Sequence, residues 1–318
     1  MFENLADVQG KTILFGIMDW GLGHASRCVP VIKKLIQKNK VIIASSGNAL
    51  SFLKNYFPSL TIIEKPGYHI RYSKTLPVSF SILSNVPSII SSIRKENNWL
   101  KKQVEILKPD EIISDNCYGF YHQEIKSIII THQLMLKMPA GFAFAESTIH
   151  HWIKNRLIKF DECWVPDYAG ENNLSGDLSH KYPVSDCVKF IGPLSRFDSP
   201  LQMKEKDLDV TYLISGPAPH RTIFQEQCIA DAKKNNWKAV LVSGLPGNHE
   251  IIQDNLITIF QHLDDEMLLD VMCRSKKVIC RSGYSSIMDF HVLQIKATMY
   301  PTPGQTEQEY LANYHVGK

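Results

Sequence analysis

Residues 11–27 read KTILFGIMDWGLGHASR. An apolar run, TILFGIM, gives way to two closely spaced glycines, and a helical pattern, ASRCVPVIKKLIQ, begins at once. Strand, glycine loop and helix in that order make one unit of a parallel sheet. The unit recurs along the chain. KVIIASSG leads into NALSFLKNYF, and TIIEKP, PDEIISD, SIIITHQ and ECWVPD are further strand candidates, with a helical stretch ending near Leu107 between the first two of these. VKFIGPLSRFDSPLQMKEKDLDV then carries a strand, two prolines and a charged polar run, a composition that suits a linker. A second series follows: VTYLISG, KAVLVSG, LITIFQ, KKVICRSG and KATMYP. The fold class expected is α/β, with two Rossmann-like doubly wound domains facing across a cleft, residues 1–197 and 198–318. The length of 318 residues agrees, because a single core stops growing at roughly 250–300 residues.

Composition narrows the function classes. Hydrophobic residues are 44% of the chain and charged residues 21%, ordinary for a globular protein. No apolar run reaches bilayer-spanning length, and the N-terminus lacks the basic region of a secretory signal. The seven cysteines are scattered and form no CxxC, so reduced thiols in a cytoplasmic protein are expected rather than disulfides or zinc. Net charge is +3, and no nucleic-acid partner is expected. The charge is uneven, with 23 Lys and Arg against 17 Asp and Glu through residue 197, and 12 against 15 beyond it. The basic excess is densest between Lys65 and Lys108, where residues 78–102 interleave apolar and basic side chains. That stretch is either a peripheral contact with anionic lipid or a core-facing helix with a solvated lysine face. LMLKMPAGFAF is likewise either an amphiphile-binding loop or buried core.

Open parallel sheets bind ligands beyond the carboxyl ends of their strands, so the loops there are the candidates for chemistry. After the first strand, Gly21 and Gly23 allow close backbone approach, and His24 is placed to act as a general base. Asp115, after EIIS, would orient that imidazole if the two strand ends are adjacent. His24 as a structural loop histidine is the plain alternative. Arg27 either holds a phosphate or acid of an acceptor or covers the helix surface. The loop lacks the third glycine of a dinucleotide fingerprint, so no cofactor is expected.

In the second half, Gly216 and Arg221 follow VTYLI, and Arg221 would supply positive charge for a phosphate or merely cap the next helix. Ser282, Gly283, Ser285 and Ser286 open a helix and place hydroxyls and amides at its positive end, a diphosphate site. Asp289, about two turns in, is either a ribose contact or a surface acid. Phe260 to Leu263 offers a face for a flat base, or plain core. Gly304, Gln305, Glu307 and Gln308 open the last helix, where Glu307 and Gln308 suit sugar hydroxyls or the helix cap. Metal binding is not expected: Asp207 and Asp209 form the one DxD, and it lies in the linker.

GLGHASR, CRSGYSSIMD and PTPGQTEQ, in this order, resemble GT-B glycosyltransferases, nearest the family 28 group with its MurG-type enzymes. The resemblance implies a cytoplasmic, bacterial, metal-independent enzyme that moves a hexose-type sugar from a UDP-sugar to an acceptor hydroxyl. The acceptor would lie in the N-terminal domain and be lipid-linked or a small molecule. His24 matches the family's loop histidine, Asp289 its ribose acid, Ser282 and Gly283 its diphosphate site, and Glu307 and Gln308 its sugar-binding pair. Two departures stand out. The loop SGPAPHR is poor in glycine, and the chain stops at Lys318, where relatives often continue with a helix crossing back to the first domain. A nucleotide-sugar hydrolase or epimerase of the same fold, and a non-catalytic nucleotide-sugar binder, are the competing readings.

Overall fold

The computed structural model describes residues 9–68, 86–139, 141–183, 185–198, 200, 204–216, 218–248 and 250–316. Its first sheet is built from β1 (Thr12–Ile17), β2 (Lys40–Ser45), β3 (Thr61–Glu64), β4 (Glu111–Asp115), β5 (Lys126–Ile130), β6 (Glu162–Val165) and β7 (Val188–Phe190). All seven are parallel, in the order β3-β2-β1-β4-β5-β6-β7. Between them run α1 (Leu22–Leu35), α2 (Gly47–Tyr56), α3 (Val86–Leu107), α4 (Glu146–Leu157) and the short α5 (Asp177–His180). The central strands are buried along almost their whole length. That is why they read as continuous apolar runs rather than alternating ones.

The second sheet has the order β10-β11-β9-β8-β12-β13. It is formed by β8 (Leu208–Leu213), β9 (Ala239–Val242), β10 (Ile251–Asp254), β11 (Ile257–Phe260), β12 (Ser275–Arg281) and β13 (Thr298–Tyr300), with α6 (His220–Lys234), α7 (Asp265–Arg274), α8 (Tyr284–Leu293) and α9 (Thr306–Tyr314). Only β10 is antiparallel, a hairpin partner of β11 that the strand–loop–helix reading did not anticipate. Its turn rests on Asn255, one of the few non-glycine residues held at positive φ.

In each sheet the chain reverses its winding once. The first does so between β1 and β4, where Ile17 is paired with Asp115, and the second between β8 and β12. The glycine loop after β1 and the Ser282-Gly283 loop after β12 therefore both open at switch points, where open sheets leave a crevice.

The halves are not independent bodies joined by a string. The core beneath β1 includes Tyr284, Ile287 and Met288 of α8 and Leu311 of α9, packed with Phe15, Val29 and Trp164. The last helix reaches the first half directly. Tyr310 Oη accepts from the Asp177 amide at 2.7 Å, Thr306 Oγ1 donates to the Lys137 carbonyl at 2.6 Å, and Tyr314 Oη bonds Asn173. Among the described residues, α9 itself makes contact with the first half. On the other flank Tyr56 of α2 donates to Asp265 of α7 at 2.5 Å.

The described part of the basic stretch folds as α3. Ile93 and Leu100 are buried in the core, while Arg94, Lys95, Lys101 and Lys102 are exposed, which is the core-facing reading for residues 86–102. Residues 78–85 lie outside the described residues. No described helix is long and apolar enough to cross a membrane. LMLKMPAGFAF divides, with Leu134 and Met135 buried and Phe144 78% exposed. Asp207 pairs with Lys238 and Arg274, and Asp209 with Lys276, so the DxD is a surface ion-pair network at the start of β8.

Two stability predictions follow from this shared core. Met288 is fully buried where the halves meet. Met288→Ala should cost about 2–5 kcal/mol in denaturant unfolding and lower the transitions of both halves together. Asp289, next to it, accepts from Ser195 Oγ at 2.6 Å, and burial, offset in part by Arg196, pushes its carboxyl up to about 6. The native carboxyl therefore holds its proton through a range in which the unfolded chain has released it. Its stabilising contribution is lost as pH rises from about 4 through 6. Asp289→Asn should raise the melting temperature at pH 7, and the gain should vanish below pH ~4.

Candidate active site

Gly21 sits at φ 75°, a conformation that disfavours side chains, and turns the chain from β1 into α1. Gly23 is needed for a different reason. A Cβ there would stand 2.9 Å from Ser285 Oγ of α8, whose hydroxyl donates to the Gly23 carbonyl at 2.9 Å. The two glycine-bearing loops thus meet across the crevice.

His24 lies on the first turn of α1, and its Nδ1 is 2.6 Å from Asp115 Oδ1 at the end of β4. The adjacency required of the two strand ends is supplied by the β1–β4 pairing. Arg27, one turn further along α1, clasps the same carboxylate, Nε to Oδ2 at 2.7 Å and Nη2 to Oδ1 at 2.9 Å. Burial alone would raise the Asp115 carboxyl, but the Arg27 and His24 charges outweigh it and hold it down at about 2. An ionised carboxylate only accepts hydrogen bonds. His24 Nδ1 therefore carries a proton, and in the neutral ring Nε2 is the nitrogen with the lone pair. His24 is 15% exposed at the side chain while Asp115 is wholly buried. The carboxylate is dry and the imidazole is partly exposed.

This geometry corrects the reading of Arg27 as an acceptor contact. Its guanidinium is 2% exposed and is spent on Asp115 and on His132, to which Nη1 donates at 3.1 Å. His132, directly after β5, was not singled out from the sequence. The rule that drew attention to Asp115, a polar residue after a buried strand, applies to it equally. Because Arg27 can only donate, His132 Nδ1 accepts, and its Nε2–H donates to Glu307 Oε1 at 3.0 Å. Burial lowers the His132 pKa, consistent with a neutral ring. Burial would raise Glu307, but its bond to His132 prevails and keeps the carboxyl below its usual value. Gln133 Nε2 donates to the other Glu307 oxygen. The Tyr284 ring lies flat on His132, with centroids 4.0 Å apart and an angle of 9°.

Several other expected ligand contacts are occupied by the protein itself. Ser282 is buried and its hydroxyl donates to the Gln308 carbonyl at 2.8 Å, which ties β12 to α9 instead of facing a phosphate. Gln308 Oε1 accepts from the Thr302 amide at 2.8 Å, in the turn ahead of α9. The Gly304 amide donates to Glu309, and Gln305 is the residue that opens α9. Leu263 is buried in the second-sheet core, and Phe260 packs against that core while only partly buried. Asp289 spends one oxygen on Ser195, inside the connection between the sheets, rather than standing free for a ribose.

What stays open is the end of α8 and its surroundings. Gly283 precedes α8 with φ −76° and ψ 140°, and no atom lies within 4 Å of where its Cβ would be. Ser286 follows on the first turn, half-buried. Gly216, at φ 96°, also faces open space. Arg221 has no hydrogen-bond or ion-pair partner among the described residues, and burial lowers its pKa. Around the same ends of β8, β9 and β12, three buried donors lack partners: His220 Nε2, Ser243 Oγ and Arg281 Nε. Arg281 is 5% exposed; it donates to the Pro301 carbonyl at 2.7 Å and lies over the Phe224 ring at 3.9 Å. A cation so placed, without a carboxylate among the described residues, suits an anionic ligand. No group of three or more potential metal ligands occurs among the described residues.

Residues 11–134, which include the glycine loop, Asp115 and His132, match the family model of glycosyl transferase family 1. An uncharacterized glycosyltransferase of Methanosarcina mazei is 22% identical over 93% of this chain and 81% of its own length. Among solved structures, the glycotransferase of kitacinnamycin superposes with a TM-score of 0.60 at 14% identity, covering 96% of this chain and 85% of that one. Arabidopsis thaliana UGT89C1 complexed with UDP-L-rhamnose gives a TM-score of 0.56 at 12% identity, over 92% and 80%. The chain thus has the two-sheet α/β fold of these glycosyltransferases, and its residues 11–134 resemble glycosyl transferase family 1.

Proposed function

We propose that the chain moves a hexose-type sugar from a UDP-sugar to an acceptor hydroxyl without a metal ion, residues 1–197 holding the acceptor and 198–318 the donor. The observation that carries this reading is the 2.6 Å His24–Asp115 pair, set at one switch point and facing the open N-terminus of α8 at the other. His24 Nε2 takes the proton of the acceptor hydroxyl as its oxygen bonds to the anomeric carbon. The bond from that carbon to the diphosphate oxygen breaks, and the nucleoside diphosphate leaves with the electron pair. Asp115 stays ionised and steadies the imidazolium. The amides at Gly283 and the first turn of α8, with Ser286, receive the leaving charge in place of a metal. Arg281 and Arg221 add positive charge on the same side of the crevice.

The donor class draws support from UGT89C1, a protein of like fold that is complexed with UDP-L-rhamnose. The likeness of CRSGYSSIMD and PTPGQTEQ to family 28 motifs belongs to the same reading. A lipid-linked acceptor is compatible with the exposed cations of α3 and with Phe144, as is a small molecule.

Calorimetric titration with UDP, GDP, dTDP and ADP is the first test, and UDP should bind selectively. Gly283→Val places a side chain in the empty space before α8 at dihedral angles any residue adopts. It should abolish UDP binding and leave the melting temperature within a few degrees of wild type; unaltered binding removes the donor site from α8. His24→Ala should cut transfer about 10²- to 10⁴-fold with nucleotide affinity retained. Full turnover in that variant rules out the base. Release of free sugar from the donor alone, at the rate of transfer, would instead identify a hydrolase. Nucleotide binding without turnover on any acceptor would identify a binder.

A further inference from the structure

Glu307 and Tyr284 belong to the C-terminal half, yet both are committed to one ring of the N-terminal half. Tyr284 covers the face of His132, and Glu307 accepts from its edge. The opposite edge of that ring accepts from Arg27, whose remaining two contacts hold Asp115, which in turn holds His24. The chain Glu307–His132–Arg27–Asp115–His24 is unbroken, and its four links measure 3.0, 3.1, 2.7 and 2.6 Å. Each link also has a fixed sense, because Arg27 can only donate and the two carboxylates only accept.

We propose that His132 is a positioning residue through which contact with the C-terminal half sets the orientation of the His24–Asp115 pair. The inference rests on the reading of His24 as the base and says what aligns it. With Glu307 and Tyr284 in place, His132 keeps its proton on Nε2 and presents Nδ1 to Arg27. The fork of Arg27 then has all three contacts satisfied and cannot rotate away from Asp115. Without Glu307 the Nε2–H loses its acceptor and the ring is held by hydrogen bond at one edge instead of two. Its Nδ1 then no longer has a fixed position, and Arg27, Asp115 and His24 lose their alignment with it. The half carrying the donor site thereby arms the base only when it is seated.

Nitrogen-15 histidine NMR of the full chain tests this without any substrate, with His24 and His132 assigned by single substitution. His132 should show a protonated Nε2 and an unprotonated Nδ1, and His24 should show a downfield, slowly exchanging Nδ1 proton. His132→Phe keeps a ring against Tyr284 but removes both hydrogen bonds. It should speed exchange of the His24 proton about tenfold, the scale of one hydrogen bond to a charged group. His132→Gln can accept from Arg27 and donate to Glu307 at once, and should restore slow exchange to within about twofold, well inside the hydrogen-bond scale. Glu307→Ala, on the half-buried first turn of α9, should act as His132→Phe does, and it decides the matter if the His132 variant does not fold. Unchanged His24 exchange in the folded variants, or a His132 proton on Nδ1, overturns the proposal. Loss of the reading of His24 as the base would show separately, as full turnover by His24→Ala with the coupling seen by NMR intact.

Discussion

A wholly buried carboxylate, Asp115, closes β4 at the point where the first sheet reverses its winding. Left alone it would be protonated or would not be buried at all. Arg27 meets that demand with two hydrogen bonds, and a guanidinium so buried needs partners of its own. One of them is His132, which brings in Glu307 and Tyr284 from beyond the second sheet. Much of the crevice is thus a sequence of compensations for one ionised side chain. The His24 side chain, 15% exposed, and that of Glu307, 19% exposed, are the members that reach solvent most.

The same logic explains how the halves meet. The contact is apolar beneath, where Tyr284, Ile287, Met288 and Leu311 enter the core under β1, and polar above, where the hydrogen-bonded chain runs. Apolar burial supplies attraction with little direction, whereas the paired donors and acceptors admit one register. Gly23 and Ser285 mark the closest backbone approach between the two loops. Around the ends of β9 and β12 some polar atoms are left over: Arg281 Nε and Ser243 Oγ have no hydrogen-bond partner among the described residues.

The sheet strands were largely legible in the sequence, because a strand buried on both faces must be apolar along its length, as TILFGI and EIISD are. The glycine loops were legible too, since Gly21 occupies a conformation that few other residues adopt. β10 escaped notice because a short edge hairpin carries no strand–loop–helix signature. His24 and Asp115 were paired from the sequence only on condition that their strands were neighbours. Strand order is a property of the sheet, and the sheet made them so.

Partnership was not legible. Arg27, Ser282, Asp289 and Gln308 have the chemistry of ligand contacts, and residue type alone assigned them to ligands. Each is instead matched to a protein group: Arg27 to Asp115, Ser282 to the Gln308 carbonyl and Asp289 to Ser195, all distant in sequence, and Gln308 to the nearby Thr302 amide. His132 met the same strand-end rule as Asp115, but its partners Arg27 and Glu307 come from elements far away in sequence. Sequence by itself determined where strands end and which loops can approach a ligand, for these depend on periodicity and on glycine. Only the tertiary structure decided which polar side chains are free. A hydrogen bond depends on separations of about 3 Å in space, and separation along the chain carries almost no information about them.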